Sequence, residues 1–322
     1  MIGCKMLMRR CFGTSSRNTV GIVGVGKMGT EMSKNLVSAG RNVIAYDVTE
    51  VGRDAARSAG ASVANSVAEL GKESDIVLTM LPNDKVLQDV TSELLSSMRE
   101  GSTHSSCSTV SPHTSRELAD IHKENGVNFV ASPIFARPDG VAAKQGVWMV
   151  SGDDDGVKDV EPVLKEIVGT FKEFGSDHGA ANIVKLCGNF LIASAIEANS
   201  EMCAFAESNG VDREEVMSLL NSTIFDCLIY RGYGNRVAGR KHLQDHDHPG
   251  FALELGLKDV SLVLDTAHKS GTPMPLGSLL RDRYLSSFNK GRGDLDWSSI
   301  GLAASEDSGV DVSDYVENPR PE

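Results

Sequence analysis

The stretch Thr19-Val-Gly-Ile-Val-Gly-Val-Gly-Lys-Met-Gly29 constrains this chain more than any other. An apolar run ends in Gly24-x-Gly26-x-x-Gly29, and helix-forming sequence follows at once from Thr30 to Ala39. Each glycine answers a separate physical demand. The first permits a tight strand-to-helix turn, the second lets backbone approach a pyrophosphate, and the third lets helix and strand pack closely. The unpaired N–H groups at the helix start then face the phosphates. A second apolar run, Asn42-Val-Ile-Ala-Tyr46, ends in Asp47, 18 residues past Gly29, near the place of a ribose-binding carboxylate. Together they predict a dinucleotide site made of Gly24, Val25, Gly26, Lys27, Met28, Gly29 and Asp47.

From residue 19 to about 178, strand-like runs alternate with amphipathic stretches. The strands read as Val20–Val23, Asn42–Tyr46, Asp75–Leu81, Ser102–Cys107, Asn128–Ile134, Val147–Val150 and Phe171–Phe174. Such alternation predicts an α/β domain with a doubly wound, mostly parallel sheet of the Rossmann type. After Gly179 the pattern changes. Apolar residues recur at helical spacing (Ile183, Leu186, Phe190, Ala193, Met202, Phe205) through a single helix of about thirty residues. Further helices are expected over Arg213–Leu220, Ile224–Ala238, Phe251–His268 and Leu276–Phe288. The domains are therefore read as a leader over 1–18, a dinucleotide-binding domain over 19–178, an all-helical domain over 179–304 and an acidic, mobile tail over 305–322.

Composition narrows the function. A formal charge of −12 over 322 residues argues against a nucleic-acid partner. No apolar run approaches the length that spans a bilayer, so no membrane role is expected. The six cysteines form no CxxC pair and read as reduced packing residues of an intracellular compartment. Residues 1–18 hold Lys5, Arg9, Arg10 and Arg17, no acid, and a Thr14-Ser15-Ser16 run. That is the character of an organelle transit peptide, which points to the mitochondrial matrix; an ordinary disordered N-terminus, with a cytoplasmic protein, is the alternative. His242, His246 and His248 have ligand-like spacing in a loop, but no metal site is expected there.

These residues resemble a family, the β-hydroxyacid dehydrogenases, relatives of 3-hydroxyisobutyrate and 6-phosphogluconate dehydrogenases. The resemblance runs from about Thr19 to Ile300. Four segments carry it together with Phe251-x6-Lys258-Asp259: the glycine turn with its Met28-Gly29 and Asn35-Leu36 pairs; Met80-Leu81-Pro82; Ser108-Thr109-Val110-Ser111-Pro112; and Gly179-x5-Lys185-x3-Asn189. It implies that Leu81, Pro82 and Thr109 lie along the cofactor, that Lys258 reaches the cofactor from the helical domain, and that Lys185 and Asn189 are catalytic. It also implies a homodimer or homotetramer and a small hydroxy acid or aldehyde substrate, such as 3-hydroxyisobutyrate. An NADPH-linked glyoxylate or succinic semialdehyde reductase is the neighbouring alternative. A dinucleotide-binding protein without turnover is the alternative of another class.

The chemistry suits these residues. A lysine acts as base only if a useful fraction is neutral, and burial or a nearby cation lowers its pKa toward that range. Lys185 sits among Ile183, Val184 and Leu186 near a helix N-terminus, where the dipole disfavours a cation. By position alone a general base and a lysine reaching out to water are equally compatible; the resemblance favours the base. Asn189 follows four residues on, on the same face. Asp259 shares a face with Leu255, Leu262 and Val263 and should be buried. Lys258 lies off that face, where a surface pair with Glu254 is the alternative to cofactor contact. Asp47 favours NAD, because a carboxylate would repel a 2′-phosphate; NADP stays open through Arg53.

The sequence departs from the family at the substrate loop. The usual Pro-Val-Ser-Gly-Gly reads Pro133-Ile134-Phe135-Ala136-Arg137-Pro138. Phe135, Ala136 and Arg137 are the substrate candidates: Phe135 for a smaller or more apolar pocket, Arg137 for a carboxylate or for a surface acid. Gly188 stands where relatives often carry a second asparagine, and Ala181 where a glycine is usual.

Overall fold

The structure is a computed structural model and describes residues 19–241 and 249–315. Strands and helices alternate through the first half: β1 (Thr19–Val23), α1 (Lys27–Ser38), β2 (Asn42–Tyr46), α2 (Glu50–Ser58), β3 (Ser62–Val63), α3 (Val67–Glu73), β4 (Ile76–Thr79), α4 (Asp84–Leu95), β5 (Thr103–Ser106), α5 (Pro112–Glu124) and β6 (Asn128–Ala131). These strands lie in the order β3-β2-β1-β4-β5-β6, all parallel. All four residues of β4 are buried, as expected of a strand covered on both faces. This is the Rossmann-type sheet the alternation predicts, with the two-residue β3 as an addition too short to read as a strand.

The sheet continues with β7 (Ile134–Phe135), α6 (Pro138–Ala142), β8 (Val147–Gly152), α7 (Asp154–Ile167) and β9 (Thr170–Glu173). The strand expected over Asn128–Ile134 is broken at Ser132-Pro133. Both halves nonetheless pair antiparallel with β8 in one register, Val130 with Gly152 and Ile134 with Trp148, and the Pro133 carbonyl still accepts the Met149 N–H at 3.1 Å. Proline has no N–H to give the ladder, so the break falls there. It turns the short β7 onward and sets Phe135 at the end of the sheet.

The second half is helical. α8 (Ala180–Ser208) runs through its centre, with α9 (Arg213–Asn221), α10 (Asn235–Ala238), α11 (Leu253–Ser270), α12 (Pro275–Ser287) and α13 (Ile300–Asp307) around it. Its core joins Ala193, Ile196 and Cys203 of α8 to Val260, Leu280, Tyr284, Trp297 and Ile300. By length and composition α8 is apolar enough to cross a membrane, contrary to the sequence expectation, although 44% of its most apolar window is buried inside this domain. The helix expected over Ile224–Ala238 starts later, at Leu228, and reaches Ala238 through a π-helical turn over Tyr230–Gly234. Gly232 and Gly234 weaken the helix there, and Met217 occupies the space beside Gly234.

The stretch read as an acidic tail starts inside α13. Glu306 pairs with Lys290 and Arg292, Asp307 pairs with Arg283, and Val312 is buried. Acids spaced along the sequence are brought opposite a row of basic residues on α12 and the turn after it, which no local pattern reveals.

Candidate active site

Among the first five helices, the helix starts separate α1 from the rest. Thr49, Ser66, Asn83 and Ser111 each cap the next helix by accepting a backbone N–H through the side chain. α1 has no such cap. It begins at Gly26, and its first-turn N–H groups are left without a side-chain acceptor. Gly24 has φ +93, and a Cβ there would collide with the Met80 carbonyl. A Cβ at Gly29 would collide with the Gly24 carbonyl, whereas Gly26 faces open space. The three glycines thus divide into two packing positions and one open position beside uncapped N–H groups, which could accept an anionic group. Val25 is buried beneath this turn; Lys27 is exposed and donates to the Pro249 carbonyl at 2.8 Å.

Asp47 stands at the end of β2 beside that turn. Its Oδ2 accepts the Val25 N–H at 2.8 Å, and its Oδ1 accepts the Thr49 N–H at 2.8 Å and hydroxyl at 2.7 Å. Oδ1 already accepts two bonds, so Oδ2 keeps the lone pair available to a ribose hydroxyl. Gly52 leaves no room for a Cβ, which would lie 2.7 Å from Asp47 Cβ. Sequence reading missed this support, and an Asp-x4-Gly spacing is its only trace. Arg53 donates to Glu50 at 2.6 Å and to the Asp47 carbonyl at 2.7 Å, so its guanidinium is held by its own helix start. Leu81 donates its N–H to Ser108 Oγ at 2.8 Å, which ties the ends of β4 and β5 together at the same edge of the sheet. Pro82 follows on the exposed side.

The helical domain meets this edge through Lys258. Its Nζ donates to the Thr109 carbonyl at 2.7 Å and lies 3.0 Å from Asp259 Oδ1. It therefore crosses to the cofactor domain instead of pairing with Glu254. Asp259 is buried, 1% exposed, as its helix face predicts, and its Oδ2 accepts Asn189 Nδ2 at 2.5 Å. Asn189 in turn is buried on α8 one turn after Lys185. The structure so brings together four residues, Lys185, Asn189, Lys258 and Asp259, from two helices that are far apart in sequence.

Lys185 is half-buried, and its pKa is lowered to about 8. Burial is the main cause; the nearby Lys258 cation adds to it, and Asp259 opposes both. Its Nζ lies 4.5 Å from the centroid of the Phe135 ring. Phe135 packs with Ala131, Met149, Ala181 and Val184, so the ring belongs to the seam between β7 and α8.

The other two substrate candidates do not face Lys185. Ala136 packs against the core of the cofactor domain, with its methyl towards Gly146. Arg137 points across to the helical domain, where Nη1 donates to the Tyr233 hydroxyl at 3.4 Å and sits 3.9 Å from buried Asp296. A strand alternates its side chains, and the bend at Pro133 sends position 135 alone towards the lysine. His242, His246 and His248 lie outside the described residues, and among the described residues no three His, Cys, Asp or Glu side chains group as a metal site.

Comparison with known proteins agrees with this arrangement. Residues 19–175 match the NAD binding domain of 6-phosphogluconate dehydrogenase, and residues 179–303 match the NAD-binding domain of NADP-dependent 3-hydroxyisobutyrate dehydrogenase. An uncharacterized oxidoreductase of Bacillus subtilis is 31% identical over 87% of this chain and 98% of its own length. The mitochondrial 3-hydroxyisobutyrate dehydrogenase of Mus musculus is 30% identical over 89% of this chain and 87% of its own. The solved 3-hydroxyisobutyrate dehydrogenase of Mycobacterium tuberculosis with L-serine superposes with a TM-score of 0.79 at 28% identity, covering 89% of this chain and 98% of that one. The two family matches together span almost the whole described chain, and the relatives align along nearly their full length: the protein belongs to the β-hydroxyacid dehydrogenase family and is an NAD(P)-dependent dehydrogenase.

Proposed function

We propose that the chain interconverts a small β-hydroxy acid of the 3-hydroxyisobutyrate type and its semialdehyde, with NAD preferred and Lys185 as general base in oxidation and general acid in reduction. The observation that carries this reading is the Lys185 amine, held at about pH 8 in an apolar setting, one helical turn from Asn189. A base with that pKa is roughly one-fifth neutral near pH 7.4 and so can both take and return a proton. Bound nicotinamide supplies the hydride acceptor in oxidation and the hydride donor in reduction. The chain does the rest. Asp259 fixes the Asn189 amide, so its carbonyl oxygen is free to orient a hydroxyl or the lysine. Lys258 holds the two domains in register at Thr109. In oxidation the substrate hydroxyl proton passes to Lys185 Nζ as the C–H bond is broken and C=O forms; in reduction the same proton returns to the carbonyl oxygen.

The preference for NAD rests on Asp47 and on Arg53 being occupied with Glu50. Relatives support the substrate class: the mycobacterial structure was solved with L-serine, and a Pseudomonas aeruginosa relative, 26% identical, is named an NAD-dependent L-serine dehydrogenase. Exposed Leu191 and Phe205 on α8 support assembly into a homodimer or homotetramer. The basic, acid-free leader supports import into mitochondria.

The test follows nicotinamide absorbance with a panel of β-hydroxy acids and semialdehydes against both cofactors, beside Lys185→Ala. Turnover on one hydroxy acid with NAD, abolished in the variant, is the expected result. Reduction of glyoxylate or succinic semialdehyde with NADPH alone would replace the substrate and cofactor. Cofactor binding with no turnover on any member would point to the binding protein, a reading that the Phe135 ring in front of the amine favours.

A further inference from the structure

The substitution of an aromatic ring for a hydroxyl beside the catalytic lysine has a structural complement. A Cβ at Gly188 would overlap Phe135 Cζ and stand 2.5 Å from Cε1. Gly188 therefore does not mark a flexible point in α8. It is the gap through which the Phe135 ring reaches Lys185. The two departures from the family pattern, one on β7 and one on α8, are a single feature.

The chemistry of the pair follows from its geometry. The face of an aromatic ring is electronegative, and an ammonium within about 6 Å of the centroid is attracted to it. The Lys185 Nζ lies well inside that distance. A ring also excludes water, which penalises the same cation. The other charged groups acting on Lys185 are Lys258 and Asp259, both from α11; its own helix contributes the neutral Asn189, and β7 contributes only the ring.

We propose that Phe135 is a positioning residue for Lys185, its ring fixing the amine in place and favouring the ammonium form, with Gly188 as the gap that admits it. This rests on the reading of Lys185 as the proton-transferring group. The ring keeps a larger share of Lys185 as ammonium at neutral pH than burial alone would leave, so more of the resting sites hold a proton to deliver to a carbonyl.

The experiment reads Lys185 directly and needs no substrate. Full-length protein is exposed to trace acetic anhydride across pH 6–11, and acetylation of the Lys185 peptide is followed by mass spectrometry. Phe135→Leu keeps the apolar bulk and removes the π face; Phe135→Tyr keeps the face; Gly188→Ala displaces the ring. The midpoint for Lys185 should fall by about half to one pH unit in Phe135→Leu and in Gly188→Ala, and stay in place in Phe135→Tyr. Acetylation of exposed Lys85 and Lys144 in the same samples reports the fold and should not change. An unmoved or raised midpoint in Phe135→Leu overturns the proposal. If Lys185→Ala retains turnover, the base assignment fails instead, whatever the midpoints do.

Discussion

The Phe135 ring occupies the space that a side chain at position 188 would need, so the ring and Gly188 are complementary parts of one contact between β7 and α8. Double substitution measures this directly. Gly188→Ala alone should lower stability by about 1–3 kcal/mol through overpacking. In a Phe135→Ser background the clash is gone, and alanine's better helix propensity should make the same change neutral or stabilising by up to about 1 kcal/mol. Urea denaturation of the four proteins of the cycle checks it; additive costs would mean that the ring moves aside freely.

The glycine turn separates binding from folding. Gly26 faces open space, so Gly26→Ala should leave the melting temperature within a degree or two and weaken cofactor binding by roughly tenfold or more, since the added methyl intrudes on the phosphate cradle. Gly29→Ala meets the Gly24 backbone and should destabilise the whole domain. Thermal melts with calorimetric titration of NAD distinguish the two. Equal loss of stability in both variants would remove Gly26 from the cofactor site.

Cofactor choice should respond to two acids together. Asp47→Asn removes the charge that would repel a 2′-phosphate; its one carbonyl oxygen can keep the bonds from Thr49, while its amide nitrogen loses the bond from the Val25 N–H. Glu50→Ala frees Nε and Nη2 of Arg53, leaving Nη1 on the Asp47 and Val48 carbonyls. The double variant should raise the NADP-to-NAD ratio of kcat/KM by about tenfold or more, and Asp47→Asn alone by less. A ratio unchanged in the double variant would place the specificity elsewhere in the turn.

Acid sensitivity should come from a buried histidine pair that the sequence reading passed over. His122 Nδ1 lies 2.6 Å from the Leu118 carbonyl and so carries the proton there; its Nε2 must then accept from His104 Nδ1 at 2.8 Å, and His104 Nε2 accepts from the Thr79 hydroxyl at 3.0 Å. Both rings are neutral, and burial lowers His104 and brings His122 to about 4. Because the unfolded chain takes up a proton near pH 6.5 and the folded one does not, stability is full above that pH and falls as pH drops towards 4. His122 alone accounts for a loss on the order of 3 kcal/mol across that window. Urea midpoints from pH 7.5 to 4.5 test this, with His104→Leu/His122→Leu expected to flatten the slope. A slope unchanged in the double variant would assign the acid sensitivity to carboxylates.

The sequence by itself determined the parts whose physics is local. Glycine spacing after an apolar run specifies the turn, apolar runs alternating with amphipathic stretches specify the sheet, the 3.6-residue period specifies the long helix, and Asp259 is legible as buried because three apolar residues share its face. Lys185 was legible as a candidate, but not as a base, since its environment is made by Lys258 and Asp259 over seventy residues away. Only the tertiary structure decided which loop residue faces that lysine. Ala136 and Arg137 sit beside Phe135 in the chain, yet the bend at Pro133 and the pairing of β7 with β8 send them to the core and to Tyr233. It also decided that Gly188 and Phe135 belong together, and that Glu306 and Asp307 at the start of the tail have partners. Such contacts join segments that no periodicity connects, and their energy exists only once the sheet edge and the long helix are packed against each other.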